Sequence, residues 1–93
     1  MTQRPNLDDH IIVLSDKDNV AVALVDLPAG DYLYGRGGTS IHVPKAIQAG
    51  FKLAIADIGE SERIVKYGHV IGLAKTAIRR GDCVHVHNLI SSV

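Results

Sequence analysis

The chain has 93 residues, enough for one small domain and too few for a second. Ten basic residues balance ten acidic ones, and a formal charge of zero removes the electrostatic footprint of a nucleic-acid or membrane-surface binder. Hydrophobic residues make up 46% of the chain but aromatics only 4%, so the core is expected to be small and aliphatic.

A chain of this size hides about 60–70% of its unfolded surface, which supports independent folding with modest stability. The lone Cys83 has no internal disulfide partner, and the N-terminus lacks the basic and apolar regions of a secretory signal. Both features fit a reducing cytoplasm. The longest apolar runs, such as Val20 to Val25, fall far short of the ~20 residues that span a bilayer.

Residues 1–9 are polar, contain Pro5 and Asn6, and alternate nowhere, so they read as a flexible leader before a single domain over 10–93. The first strand is expected within His10 to Leu14. Short β-branched and aliphatic pieces then recur between Gly and Pro signals. They fall at Asn19 to Asp26, Thr39 to Val43, Lys52 to Ile58, Arg63 to Lys66, Val70 to Ala74 and Cys83 to His87. No stretch holds a helical period for three turns. A single helical turn near Pro44 to Ala49 is the most the pattern allows, and the fold class is all-β.

One local device repeats: an aliphatic residue followed by a Gly or polar turn. It occurs at Leu27-Pro28-Ala29-Gly30, Ile47-Gln48-Ala49-Gly50, Ile58-Gly59-Glu60-Ser61 and Ile78-Arg79-Arg80-Gly81. The starts are separated by 20, 11 and 20 residues, a spacing that suggests two related halves. Gly35-Arg36-Gly37-Gly38 lacks a nucleotide-binding pattern and reads as a hairpin tip.

Five histidines are candidates for chemistry. His85 and His87 lie two apart in an apolar segment. On a strand they would leave the same face ~7 Å apart, able to address one ligand as acid, base or carboxylate-orienting groups. Two imidazoles do not make a metal site, so any metal must be completed elsewhere. His10, His42 and His69 have no companion at ligand spacing. Lys66 and Tyr67 precede Gly68 at a turn where an ammonium can attract a carboxylate. Lys52 and Asp57 read as solvent-side charges on an aliphatic strand.

Several motifs follow one another: Asp18-Asn19-Val20-Ala21-Val22-Ala23-Leu24, Leu27 to Gly30, Lys52 to Ile58, Val65-Lys66-Tyr67-Gly68, Val70 to Ala74, and His85-Val86-His87-Asn88. In this order they resemble the SAF domain of the altronate and galactarate dehydratase family, and are similar to the separate small subunit of sulfolactate sulfo-lyase. The resemblance implies a β-clip fold and the role of a small subunit beside a large catalytic subunit. That partner would eliminate water, or sulfite, from a sugar acid or related 2-hydroxy acid, and would hold a divalent metal, iron or manganese, that this chain does not bind alone. It further implies His85 and His87 as catalytic residues and Lys66 and Tyr67 as substrate-binding residues. Neither nucleic acid nor membrane is implied as a partner. A carbohydrate-binding or purely structural SAF module is the alternative. Two positions depart from the family pattern: Ser15 and Phe51 stand where histidines are expected.

Overall fold

The computed structural model describes residues 5–35 and 37–91. Nine antiparallel strands form it: β1 (Ile11–Ile12), β2 (Val20–Ala23), β3 (Gly30–Tyr34), β4 (Thr39–Val43), β5 (Lys52–Ala54), β6 (Arg63–Lys66), β7 (His69–Ala74), β8 (Cys83–Val84) and β9 (Leu89–Ser91). The fold is all-β, as the pattern predicts. The one helical piece among the described residues is a 3-10 turn at Leu7–Asp9, not at Pro44 to Ala49, which is irregular and bridges to Leu27 through Ile47. Residues 5–9 of the expected leader are packed: Leu7 is fully buried and Asn6 bridges to Leu33. Residues 1–4 lie outside the described residues.

A central sheet runs β1-β2-β5-β8, flanked by the β3-β4 hairpin and by a three-stranded β6-β7-β9 sheet. Alternation along the central strands feeds two separate cores. Ala21, Ala23 and Leu53 pack with Leu7, Leu27, Tyr32, Ile41, Val43 and Ile47. Val20, Ala54 and Val84 point the other way and pack with Ile58, Ile64, Ala74 and Ile78. Each fully buried Leu or Ile contributes about 1.5–3 kcal/mol, so neither small core would hold a fold alone.

The two halves are related, as the turn spacing suggests. Leu27 and Ile47 exchange reciprocal backbone hydrogen bonds of 2.7 and 2.8 Å, and Ile58 and Ile78 repeat the exchange 31 residues later at 2.8 Å each. The same shift relates the Ala49 amide on the Asp26 carboxylate to the Arg80 amide on the Asp57 carboxylate. Asp57 is solvent-exposed, as expected, and in addition caps a turn. Its side chain accepts a backbone donor that the turn would otherwise leave unpaired.

Two strands escaped the sequence pattern. β3 opens on Gly30-Asp31, which reads as turn, yet its Tyr32 is buried opposite Ile41. β9 is three residues long and gains its place only by pairing with β7.

Gly81 shows how closely the second half meets the first. It has φ +98, and a Cβ added there would collide with the His42 carbonyl oxygen on β4. Gly37, by contrast, has open space around it. Gly81→Ala is expected to cost at least ~1–3 kcal/mol through strain and overlap, whereas Gly37→Ala should be near neutral. Urea unfolding of both variants checks this; equal stability would mean that β4 yields without cost.

Candidate functional site

The four predicted site residues occupy two places. Strand β8 ends at Val84, so the expected strand over Cys83 to His87 is shorter, and His85 opens a turn instead of continuing the alternation. The cause is Asn88. This buried side chain accepts the His85 amide at 2.9 Å and donates to the Cys83 carbonyl at 2.9 Å, while its own amide donates to the His85 carbonyl at 3.0 Å. A side chain that satisfies the backbone locally competes with ladder pairing and ends the strand. The same-face argument for His85 and His87 therefore does not apply.

Each histidine has its own surroundings. The His85 ring lies against Phe51, with centroids 5.0 Å apart and planes tilted by 36°. That contact follows from the pairing of Lys52 with Val84, which brings the next residues outward, 51 and 85, opposite each other. His87 instead lines an open groove of about 410 Å³ with Lys45, Asp82, Cys83 and Asn88. Burial raises the Cys83 thiol above its ordinary value; Lys52 lowers it and Asp82 raises it. The thiol stays protonated at neutral pH and is a poor nucleophile. An ammonium and an imidazole on one groove suit an anionic ligand and proton transfer.

Lys66 and Tyr67 lie beyond the opposite end of the β2–β5 pairing. Lys66 pairs with His69 across a two-residue turn in which Tyr67 and Gly68 have φ of 55 and 78. Two positive φ values match the twist of a tight hairpin, and the Gly68 signal for a turn is correct. The Lys66 ammonium sits 5.1 Å from the Tyr67 ring centroid, a cation–π distance.

This hairpin is held by residues that sequence reasoning quoted but did not assign. The Asp18 carboxylate accepts the Gly68 amide at 2.7 Å and the Leu14 and Ser15 amides at 3.3 Å each. Asn19 accepts the Val65 amide and donates to the Arg63 carbonyl, each at 2.8 Å. The signal available was a polar pair placed directly before an aliphatic strand, a common position for side chain to backbone bonds. Ser15 lies beside Gly68, so the two departures from the family pattern, Ser15 and Phe51, sit at the two candidate places.

Among the described residues, no group of three or more His, Cys, Asp or Glu side chains is arranged to hold a metal ion. The residues of this chain do not fit a divalent-metal centre of their own. No helix is long and apolar enough to cross a membrane.

Residues 9–92 match the family described as the altronate/galactarate dehydratase SAF domain. The chain belongs to this family, and its fold is the SAF-type β-clip. It is 43% identical over 77 residues to an altronate dehydratase of Bacillus subtilis, covering 83% of this chain but 15% of that protein. It is 38% identical over 84 residues to the (2R)-sulfolactate sulfo-lyase subunit alpha of Chromohalobacter salexigens, covering 84% of this chain and 89% of that subunit. An altronate dehydratase of Escherichia coli is 39% identical over 71 residues, 14% of its length. The SAF chain thus spans about a seventh of the dehydratases it matches and nearly the whole of the sulfo-lyase subunit.

The Asp18 latch yields a pH prediction. Partial burial pulls this carboxyl upward, but amide donors from Gly68, Tyr67, Leu14 and Ser15 outweigh it and hold the group below its ordinary value. A depressed folded-state pKa gives stability that is present above the unfolded carboxylate value, about 3.9, and lost as pH falls through the folded value. The Gly68 amide should therefore keep its slow hydrogen exchange through ordinary carboxylate titration and lose it only at lower pH. In Asp18→Asn that acid-dependent step should vanish; its persistence would assign the step to another group.

Proposed function

We propose that this SAF domain is the small subunit of a two-component lyase that eliminates water from a sugar acid or a related 2-hydroxy acid. The observation that carries the reading is the Asn88-locked turn, which holds His87 at an open groove beside Lys45. The family relationship supplies the reaction class. The comparisons support a dehydratase role in three relatives and a sulfo-lyase role in one, so loss of sulfite from a sulfonated 2-hydroxy acid is the second reading.

Elimination next to a carboxylate needs a base for the α proton, an acid for the departing group and a cation for the carboxylate. In this reading His87 moves the proton at a ring nitrogen, and Lys45 attracts the carboxylate into the groove. His85, seated on Phe51, keeps its ring orientation and serves as second acid–base group or orienter. The large catalytic polypeptide supplies the rest of the active site, including any iron or manganese, for which the described residues of this chain hold no ligand set. Lys66 and Tyr67 bind a substrate carboxylate or the partner at the other end of the strands.

The test uses the chain together with its large subunit. His85→Ala and His87→Ala should assemble normally and lower kcat at least ~10²-fold, the low end for acid–base catalysis. Lys66→Ala should raise KM with kcat nearly unchanged, as expected for uniform binding. Unchanged turnover in both histidine variants would remove the turn from the mechanism and leave a structural subunit as the reading.

A further inference from the structure

The two halves serve as controls for each other. On the outward side of the β3–β4 hairpin, Asp31 lies opposite His42, joined by a 2.8 Å hydrogen bond, and Leu33 lies opposite Ser40. The equivalent outward pairs of the second half are Arg63 opposite Leu73 and Val65 opposite Val70. Strand β9 adds Ile90, opposite Leu73 on its other side. Leu73, Val70 and Ile90 are 39%, 45% and 52% exposed.

Antiparallel sheets with one solvated face place apolar residues inward and polar residues outward. The first half follows this rule at Asp31, His42 and Ser40 and departs from it at Leu33, whereas the second follows it only at Arg63. The second hairpin differs from the first in a register shift between Ile64 and Val65 and in its third strand, β9, but neither feature buries Val70 or Leu73. The inward side of that hairpin is already filled by Ile64 and Ala74. Among the described residues, no ion pair engages the Arg63 guanidinium, and none of these outward positions carries a carboxylate.

We infer that the outward face of β6-β7-β9, centred on Leu73, Ile90 and Arg63, is the docking surface for the large lyase polypeptide. The inference rests on the subunit reading above. The occupant presents an apolar patch with a carboxylate opposite Arg63. Size supports a large occupant. The same segment makes up 15% of a Bacillus subtilis altronate dehydratase and 89% of a sulfo-lyase subunit, so the domain exists both inside a long chain and as a separate subunit. Both arrangements need a face for what accompanies it. A second copy fits less well, because a two-fold contact sets two Arg63 groups on one face with no carboxylate to offset them. Stable interfaces bury ~800 Å² per partner, so these side chains form the apolar centre of a larger footprint with a polar rim.

The experiment compares three tagged forms of the full chain expressed in the native host: wild type, Leu73→Glu/Ile90→Glu, and Leu24→Glu. Leu24 is 56% exposed and lies away from this face, so it controls for surface charge alone. The quantity read is one polypeptide, identified by mass spectrometry as matching the part of an altronate dehydratase that this chain does not cover. Light scattering gives the mass of each complex, and circular dichroism confirms the fold. Wild type and Leu24→Glu are expected to retain that polypeptide, and the double variant to lose it at least ~10-fold, as for a charge placed at an interface centre. Retention by the double variant overturns the docking face while the subunit reading stands. Absence of the lyase polypeptide from wild type overturns the subunit reading itself. A wild-type chain of doubled mass that the double variant reduces to monomer makes the face a self-interface. Should the double variant lose its fold, Arg63→Glu reads the same contact without placing a charge at an apolar position.

Discussion

The structure depends on the pairing of β2 with β5. Val20 lies opposite Ala54, Ala21 opposite Leu53 and Val22 opposite Lys52, and these pairs join the halves at the centre of the sheet. Each half lends residues to the other's core: Leu53 packs with the first half's cluster and Val20 with the second's. A slip of one residue would exchange the faces and turn each of these side chains toward the other half's core, so the register is strongly specified. Neither half can form its own core without the other.

From that pairing follow the positions of the two candidate places. At one end Phe51 and His85 come together because they extend the Lys52–Val84 register. At the other, Asp18 and Asn19 leave β2 and capture the β6–β7 hairpin that carries Lys66 and Tyr67. The intervening strands span roughly 10–13 Å at ~3.3 Å per residue. The histidine expectation at positions 15 and 51 now has a physical setting. Phe51 gives His85 a flat ring partner, while Ser15 lies beside Gly68 at a hairpin tip whose own imidazole is His69.

Family membership and structure constrain the chemistry from different sides. The relationship gives a lyase context, and the fold gives an imidazole, an ammonium and a protonated thiol along one groove. Among the described residues no group of side chains is arranged to hold a metal ion. The second half's outward face exposes Val70, Leu73 and Ile90, where the first half exposes Asp31 and His42.

Sequence by itself determined the fold class, two strands to the residue, at Thr39–Val43 and Arg63–Lys66, and the duplicated turns. These are local properties: β-branched alternation and Gly or Asp at turns act through neighbouring residues, and the 31-residue repeat is visible as spacing. The Tyr67–Gly68 turn was legible for the same reason. Tertiary structure alone decided the end of β8, the burial of Leu7, the capping work of Asp18, Asn19, Asp57 and Asn88, and the Phe51–His85 contact. A polar side chain next to a strand can face water or capture a distant amide, and only the register of strands far apart in sequence selects between them. For His85 and His87 the alternation rule failed because Asn88 offered the backbone a nearer partner than the sheet did.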